Sequence, residues 1–168
     1  MVHTGNSFAL AYGDNLVKRV RVNDPVSIAL QKGKRLKAAL LDFGQNLFLG
    51  AVPNTLSGLT VIVPYLLAIY RGWVGGIVSV DDAHVSRLAK PGDALYYILT
   101  VILHLIPYSL AGGAGVNLGL AYFLPRRFYQ GERWLGLPKE AILDVLRIYY
   151  LVVPIFFAAS LWEFLAHS

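Results

Sequence analysis

The feature that most constrains this chain is a stretch of 31 residues, positions 94–124, without a single Asp, Glu, Lys or Arg. As one helix, the stretch would extend for about 46 Å, whereas the hydrocarbon core of a bilayer is about 30 Å thick. Inside a membrane it therefore has to tilt, break or fold back. Because such a run is too apolar for a soluble domain, we expect an all-α, polytopic integral membrane protein.

Composition supports the same class of protein. The mean hydropathy is +0.54, and 15% of the residues are charged, against roughly 25% in soluble domains. The chain has no cysteine, which excludes disulfides, thiolate metal sites and a cysteine nucleophile. The net charge of +5 comes from basic residues beside the apolar segments. We therefore expect membrane lipids with anionic headgroups as partners, and no nucleic acid.

The apolar and basic segments predict two parts. Residues 1–37 form a basic cytoplasmic prelude, in which an interfacial amphipathic helix opens at Pro25. Residues 38–168 form a helical membrane domain in the cell membrane, with about five membrane helices. The expected spans are about 38–53, 59–80 and 142–165, with a turn at VPNTLSG between the first two and the uncharged run supplying the remaining membrane helices.

Positive charge predicts how the uncharged run is threaded, because Lys and Arg in short loops favour the cytoplasm. Residues 1–37 hold seven Lys or Arg against two acids, and residues 125–140 hold four against two. If both segments are cytoplasmic, the uncharged run leaves and returns to the same side, and Ser168 lies opposite. We favour a broken or re-entrant Gly-rich hairpin that turns near Pro107, and one long tilted helix is the alternative.

Small residues in the second half of the uncharged run predict close helix packing. Ala111, Gly115 and Gly119 are spaced four apart, which forms a ridge that another helix backbone can approach. The expected packing set also includes Gly112 and Gly113, which complete the sequence AGGAG.

Four segments resemble the membrane domain of the stage II sporulation protein M family: KRLKAALLDFGQNLFLG, YRGWVGGIVSV, LHLIPYSLAGGAGVNLGLAYF and SLWEFLAHS. The resemblance covers about residues 30–165. Aligning the Ala-Gly segment places Thr100 where the family often has His, and His104 where it has Glu. Glu163 matches a Glu near the end of the family's last helix. The resemblance implies a membrane scaffold, since the founding member gathers peptidoglycan-degrading partners during engulfment.

Polar side chains inside the predicted spans are the candidate functional groups, because a charge at mid-membrane costs at least about 2.5 kcal/mol. They are Asp42, Asn46, His104, Asn117 and Glu163. One interpretation is a proton or ion path at the hairpin break, where the segments of His104, Asn117 and Glu163 converge. The other, which we favour, is that these groups hydrogen-bond one another across helices. For Asp42 we also expect pairing with Arg35 or Lys37.

No spacing among the four histidines predicts a metal site, and no nucleotide-binding or nucleophile motif occurs. We therefore expect no enzyme activity, no cofactor and no metal. The preferred function is a non-enzymatic scaffold whose partners are other membrane or envelope proteins, with a homo-oligomer left open. A transporter or channel component is the alternative. We also expect an ion pair between Asp144 and Arg147, and an interfacial anchor at Arg71.

Overall fold

The computed structural model describes residues 2–80, 84–124, 129 and 131–166, most of which are helical. In chain order the elements are a 3-10 turn (Val2–Thr4), α1 (Ser7–Asn23), α2 (Pro25–Gln31), α3 (Arg35–Gly44), a π-helical segment (Gln45–Ala51), α4 (Val52–Ser57), a second 3-10 turn (Gly58–Thr60), α5 (Val63–Ile77), α6 (Pro91–Phe123), β1 (Arg133–Trp134), β2 (Leu137–Pro138) and α7 (Lys139–Leu165). The two short strands pair antiparallel just before α7.

The uncharged run forms one continuous helix, α6, so the favoured broken or re-entrant hairpin is wrong. The helix has 33 residues and continues through the buried Pro107 and the glycines that follow. A continuous helix pairs its peptide groups internally, whereas a break at membrane depth leaves groups that lipid cannot satisfy. At a length of about 50 Å, α6 exceeds the hydrocarbon core of a bilayer.

Among the described residues, α6 and α7 are the two helices long and apolar enough to cross a membrane, so the prediction of about five is wrong. The helix α5 has 15 residues and reaches about 22 Å, which is short of the ~30 Å core. Within residues 35–60 the helical hydrogen-bond pattern changes to π at Gln45–Ala51 and to 3-10 at Gly58–Thr60, so α3 and α4 are both short.

Two turns with positive φ lie at positions other than those expected. Gly33, with φ of 69°, separates α2 from α3, so the predicted amphipathic helix from Pro25 is two helices. The expected turn at VPNTLSG is largely helical, and the chain reverses after it at Val61, with φ of 63°. A β-branched residue in this conformation is strained, and the sequence gives no signal for it.

The apolar faces of α6 and α7 are largely uncovered by the other described residues. In the most apolar 18-residue stretch of each helix, the buried share is 11% for α6 and 17% for α7. The core helix of a soluble protein is mostly buried, so faces of this kind are suited to contact with lipid or another protein. The structure is therefore compatible with a membrane location.

The helices α6 and α7 pack antiparallel, and residues 35–60 lie along both. At one end of the pair, the Tyr96 hydroxyl donates a hydrogen bond to the backbone carbonyl of Glu163. At the other end, Leu118 clusters with Ala141. Between the two ends lies a core of Leu47, Ala51, Ala111, Val152 and Phe156. This arrangement brings polar side chains from three helices into one interior.

The basic prelude and the described residues 131–138 before α7 lie at opposite ends of the helix pair, which differs from the expected placement on one side. Val26 and Ala38 cluster with Phe164 near the end of α7, whereas Leu137 clusters with Ala141 at its start. The reason is that α6 traverses the bundle once instead of folding back. Of the residues in these threading predictions, 125–128, 130 and Ser168 lie outside the described part of the chain.

Asp24 joins α1, α2 and the start of the π-helical segment. Its carboxylate accepts hydrogen bonds from the Ser27 backbone N–H and the Gln45 side chain, both at 2.9 Å. Partial burial opposes ionisation, but these hydrogen bonds prevail and hold the pKa of Asp24 below its usual range. The charged form of Asp24 therefore stabilises the junction.

Replacing Asp24 by Ala should lower the free energy of unfolding by about 1 kcal/mol at pH 7, because α2 loses its N-cap. A lowered folded-state pKa means that the charged carboxylate stabilises the fold fully above its unfolded pKa of about 4, and that this is lost as the pH falls through the folded value. Thermal unfolding of both proteins across that range tests this. The difference should shrink in acid, while Asp93→Ala, an exposed acid without a capping bond, serves as control. A pH-independent difference would contradict the assignment.

Candidate functional site

Three ionisable side chains meet between three helices, and we call them the polar triad: Asp42 on α3, His104 on α6 and Glu163 on α7. The Nε2 atom of His104 lies 3.5 Å from Asp42 Oδ2 and 3.5 Å from Glu163 Oε2. One ligand atom from each of the three side chains lies within 4.8 Å of the other two. The side chains of Asp42 and His104 are 18% exposed and that of Glu163 is 37% exposed. Asp42 therefore contacts His104, whereas pairing with Arg35 or Lys37 was expected.

Two further residues orient the polar triad. The Ser160 hydroxyl, which is buried, donates to Asp42 Oδ2 at 2.7 Å. The Nδ1 atom of His104 lies 3.0 Å from the Thr100 backbone carbonyl. Because a carbonyl oxygen only accepts, Nδ1 carries the proton in this hydrogen bond. The other ring nitrogen, Nε2, then faces the two carboxylates.

This orientation determines the charge that the site needs. A neutral imidazole with its proton on Nδ1 has a lone pair on Nε2, and here that lone pair faces two carboxylate oxygens. The contact is favourable when a proton or a cation lies there: a second proton on the ring, a proton on one of the two carboxyl groups, or a bound cation. At 3.5 Å, the separation is also longer than a good hydrogen bond. The three facing atoms of the polar triad therefore need a proton or a cation between them.

Asn46 and Tyr108 extend the polar region beside the triad. The Tyr108 hydroxyl donates to Asn46 Oδ1 at 2.6 Å, and Gly50 leaves room for the tyrosine ring, which a Cβ there would meet. The guanidinium of Arg71 lies 3.9 Å from the centre of the same ring. Arg71, expected to be an interfacial anchor, therefore makes a cation–π contact.

Polar side chains of α4 hold the middle of the bundle together. Asn54 donates to the backbone carbonyl of Tyr108 at 3.1 Å, and Thr55 donates to that of Ala111 at 2.9 Å. The Thr55 hydroxyl also lies 2.8 Å from the hydroxyl of Tyr149 on α7. Sequence reasoning missed these residues because single Thr and Tyr residues in apolar segments have no distinctive spacing. The Asn54–Thr55 pair was the one available signal, and it had been assigned to a turn.

Asn117 belongs to a second polar group, so the expected convergence with His104 and Glu163 is wrong for this residue. Its side-chain amide donates a hydrogen bond to the Tyr129 hydroxyl at 2.7 Å. That hydroxyl in turn donates to Asp144 Oδ2 at 2.8 Å. Asn117 follows His104 by thirteen positions, which corresponds to about 20 Å along α6. Burial and the Asp144 carboxylate, outweighing the Asn117 hydrogen bond, raise the pKa of Tyr129.

The ion pair expected at the start of α7 is present. Arg147 lies 2.7 Å from Asp144, three residues apart on the helix. The Arg147 side chain is 64% exposed, so this pair contributes little to stability.

The small-residue ridge of Ala111, Gly115 and Gly119 lies against α4 and the 3-10 turn after it. A Cβ at Gly115 would lie within 3.0 Å of the Thr55 backbone, closer than real Cβ contacts come. A Cβ at Gly119 would come similarly close to the backbone of Gly58. The two helical segments therefore touch backbone to backbone.

The two other glycines of the expected packing set differ from each other. Gly112 is buried, and a Cβ there would come within 3.0 Å of the Asn54 side chain. Gly113 is exposed, with nothing within 4 Å of a Cβ. Its assignment to the packing set is wrong, because it lies on the outer face of α6.

A cleft between α1 and the end of α5 is lined in part by Asp14, His84 and Arg87, and His84 Nε2 lies 3.1 Å from Asp14 Oδ1. Its volume of 30 Å³ is far below the roughly 300 Å³ of the smallest usual ligand pockets. The polar triad is therefore the better candidate site.

No family model, no curated protein and no solved structure matches the chain. The similarity to the stage II sporulation protein M family thus stays a prediction from the sequence, and function has to be argued from the geometry described above.

Proposed function

We propose that this protein is a non-enzymatic integral membrane protein that acts as a scaffold for a membrane-associated complex. The observation that carries the proposal is the contrast between interior and exterior. Inside, the polar groups of α4, α6 and α7 bind one another across helices. Outside, the faces of α6 and α7 are apolar and largely uncovered. Such faces suit lipid and partner helices.

The orientation that we propose follows from charge. The end of the helix pair that carries the basic prelude faces the cytoplasm, because Lys and Arg are concentrated there. Its exposed Lys and Arg side chains contact anionic lipid headgroups. The β1–β2 hairpin, at the other end of the pair, faces the opposite side. In this arrangement, α6 and α7 are the two helices that cross the membrane.

The sequence resemblance supports the same function. Members of the stage II sporulation protein M family resemble this chain over residues 30–165, and the founding member is a scaffold. In a scaffold, partner helices take the place of lipid along part of the exposed surface. Tyr150 on α7 is 80% exposed and suits this role, because tyrosine combines apolar area with a polar group.

A photo-crosslinking amino acid at Tyr150 tests the proposal in native membranes. We expect a crosslink to one discrete membrane or envelope protein, identified by mass spectrometry. The same group at Leu135, a fully exposed residue of the β1–β2 hairpin, is the control and should not reproduce that adduct. If Tyr150, and likewise Leu105 on α6, crosslinks to lipid alone, the scaffold function is wrong.

A transporter or channel component is the second candidate, and the polar triad is the observation that favours it. Vesicles that contain the purified wild-type protein distinguish the two functions, since a scaffold needs no ion flux. We expect proton and cation fluxes no greater than in protein-free vesicles. A reproducible flux that disappears in Glu163→Gln would reverse the ranking.

A further inference from the structure

We propose that the polar triad binds one divalent transition-metal ion, with zinc as the representative ion. The ligand atoms are Asp42 Oδ2, His104 Nε2 and Glu163 Oε2, one from each of three helices. The sequence predicted no metal site, because these residues are 62 and 59 positions apart along the chain. The inference is independent of the scaffold function, which needs no metal.

The spacing of the ligand atoms fits a metal ion of this size. Two ligands bound to a tetrahedral zinc ion at ~2.0–2.1 Å are about 3.4 Å apart. The two distances from His104 Nε2 to the carboxylate oxygens are each 3.5 Å. One oxygen of each carboxylate lies within 4.8 Å of the other, and binding of a tetrahedral zinc ion requires this third edge to be about 3.4 Å. Three protein ligands leave a fourth position for water.

The neighbours of the ligands have the arrangement that metal sites require. A metal-bound histidine commonly donates its other N–H to a backbone carbonyl, which aims the free nitrogen at the ion. His104 is placed this way by the Thr100 carbonyl. Coordinating carboxylates usually accept hydrogen bonds as well, and the buried Ser160 hydroxyl donates one to Asp42.

Charge favours a divalent cation over a second proton. With a protonated imidazole, the polar triad holds two negative charges and one positive charge. With a neutral imidazole and a divalent cation, the charges cancel, which suits a half-buried site between apolar helices. The imidazole ligand also selects a transition metal, since Mg²⁺ and Ca²⁺ prefer oxygen ligands alone.

The test uses the full chain purified in detergent without a polyhistidine tag and stripped with a chelator. Zn²⁺ should bind at about one ion per chain and raise the unfolding temperature in a saturable way, whereas Mg²⁺ should not. Elemental analysis gives the stoichiometry. Co²⁺ bound in place of Zn²⁺ should show the visible absorption typical of a site with few ligands. Added Zn²⁺ should displace the Co²⁺ and abolish this absorption.

Matched variants assign the binding to the polar triad. His104→Gln and Glu163→Gln should each weaken Zn²⁺ binding at least tenfold, while the controls His84→Gln and Glu140→Gln should bind as the wild type does. Should the ligand variants fold poorly, Ser160→Ala keeps all three ligands and should still weaken binding about tenfold. The proposal is overturned if the wild type binds no Zn²⁺, or if ligand and control variants bind equally well.

Discussion

Leucine in place of Gly115 should force α6 away from α4 and lower the free energy of unfolding by at least about 3 kcal/mol, the upper range for overpacking a close-packed interior. The reason is that even a Cβ at this position meets the Thr55 backbone, which cannot rotate away as a side chain can. Thermal unfolding in detergent, followed by tryptophan fluorescence, measures the loss.

Gly113→Leu is the matched control for this substitution. It lies on the same helix two residues away, but nothing is within 4 Å of its Cβ. Leucine there should be neutral, or should stabilise the helix by up to about 1 kcal/mol through its higher helix propensity. Equal losses from the two substitutions would show that the backbone contact between α6 and α4 does not form.

Cysteines at Lys32 and Leu135 should react from opposite sides of the membrane. The native chain has no cysteine, so each variant reports a single position. Lys32 lies between α2 and α3, at the end near Phe164, and Leu135 lies in the β1–β2 hairpin. In intact cells, an impermeant maleimide should label Leu135→Cys in full and Lys32→Cys only after the membrane is permeabilised.

Labelling of both cysteines from one side would contradict a single crossing by α6. It would restore the folded-back threading that the loop charges first suggested. Labelling of Lys32→Cys alone from outside would leave the single crossing intact and would invert the proposed orientation. The two results are distinguishable because each variant is labelled both in intact cells and in permeabilised cells, and the permeabilised sample shows that the cysteine can react.

Local sequence patterns predicted several features of the site. The four-residue spacing of Ala111, Gly115 and Gly119 pointed to a backbone contact, and such a contact is present at Gly115 and Gly119. Asp42, His104 and Glu163 stood out because ionisable groups are costly in apolar helices. The partners of these residues were not predictable, since Ser160 and Thr100 have no signal that separates them from other small polar residues in a helix.

By itself, the sequence determined the helical class, the two long apolar segments and the polar residues within them, because these follow from hydropathy and from local spacing. The tertiary structure decided how the segments are threaded. Loop charge favoured a hairpin over residues 94–124, but satisfying every peptide group favoured one helix, and α6 is continuous. That choice puts the basic prelude and the β1–β2 hairpin at opposite ends. It also brings Asp42, His104 and Glu163 together while leaving Asn117 about 20 Å away, since such proximity depends on packing between helices that are distant in the chain.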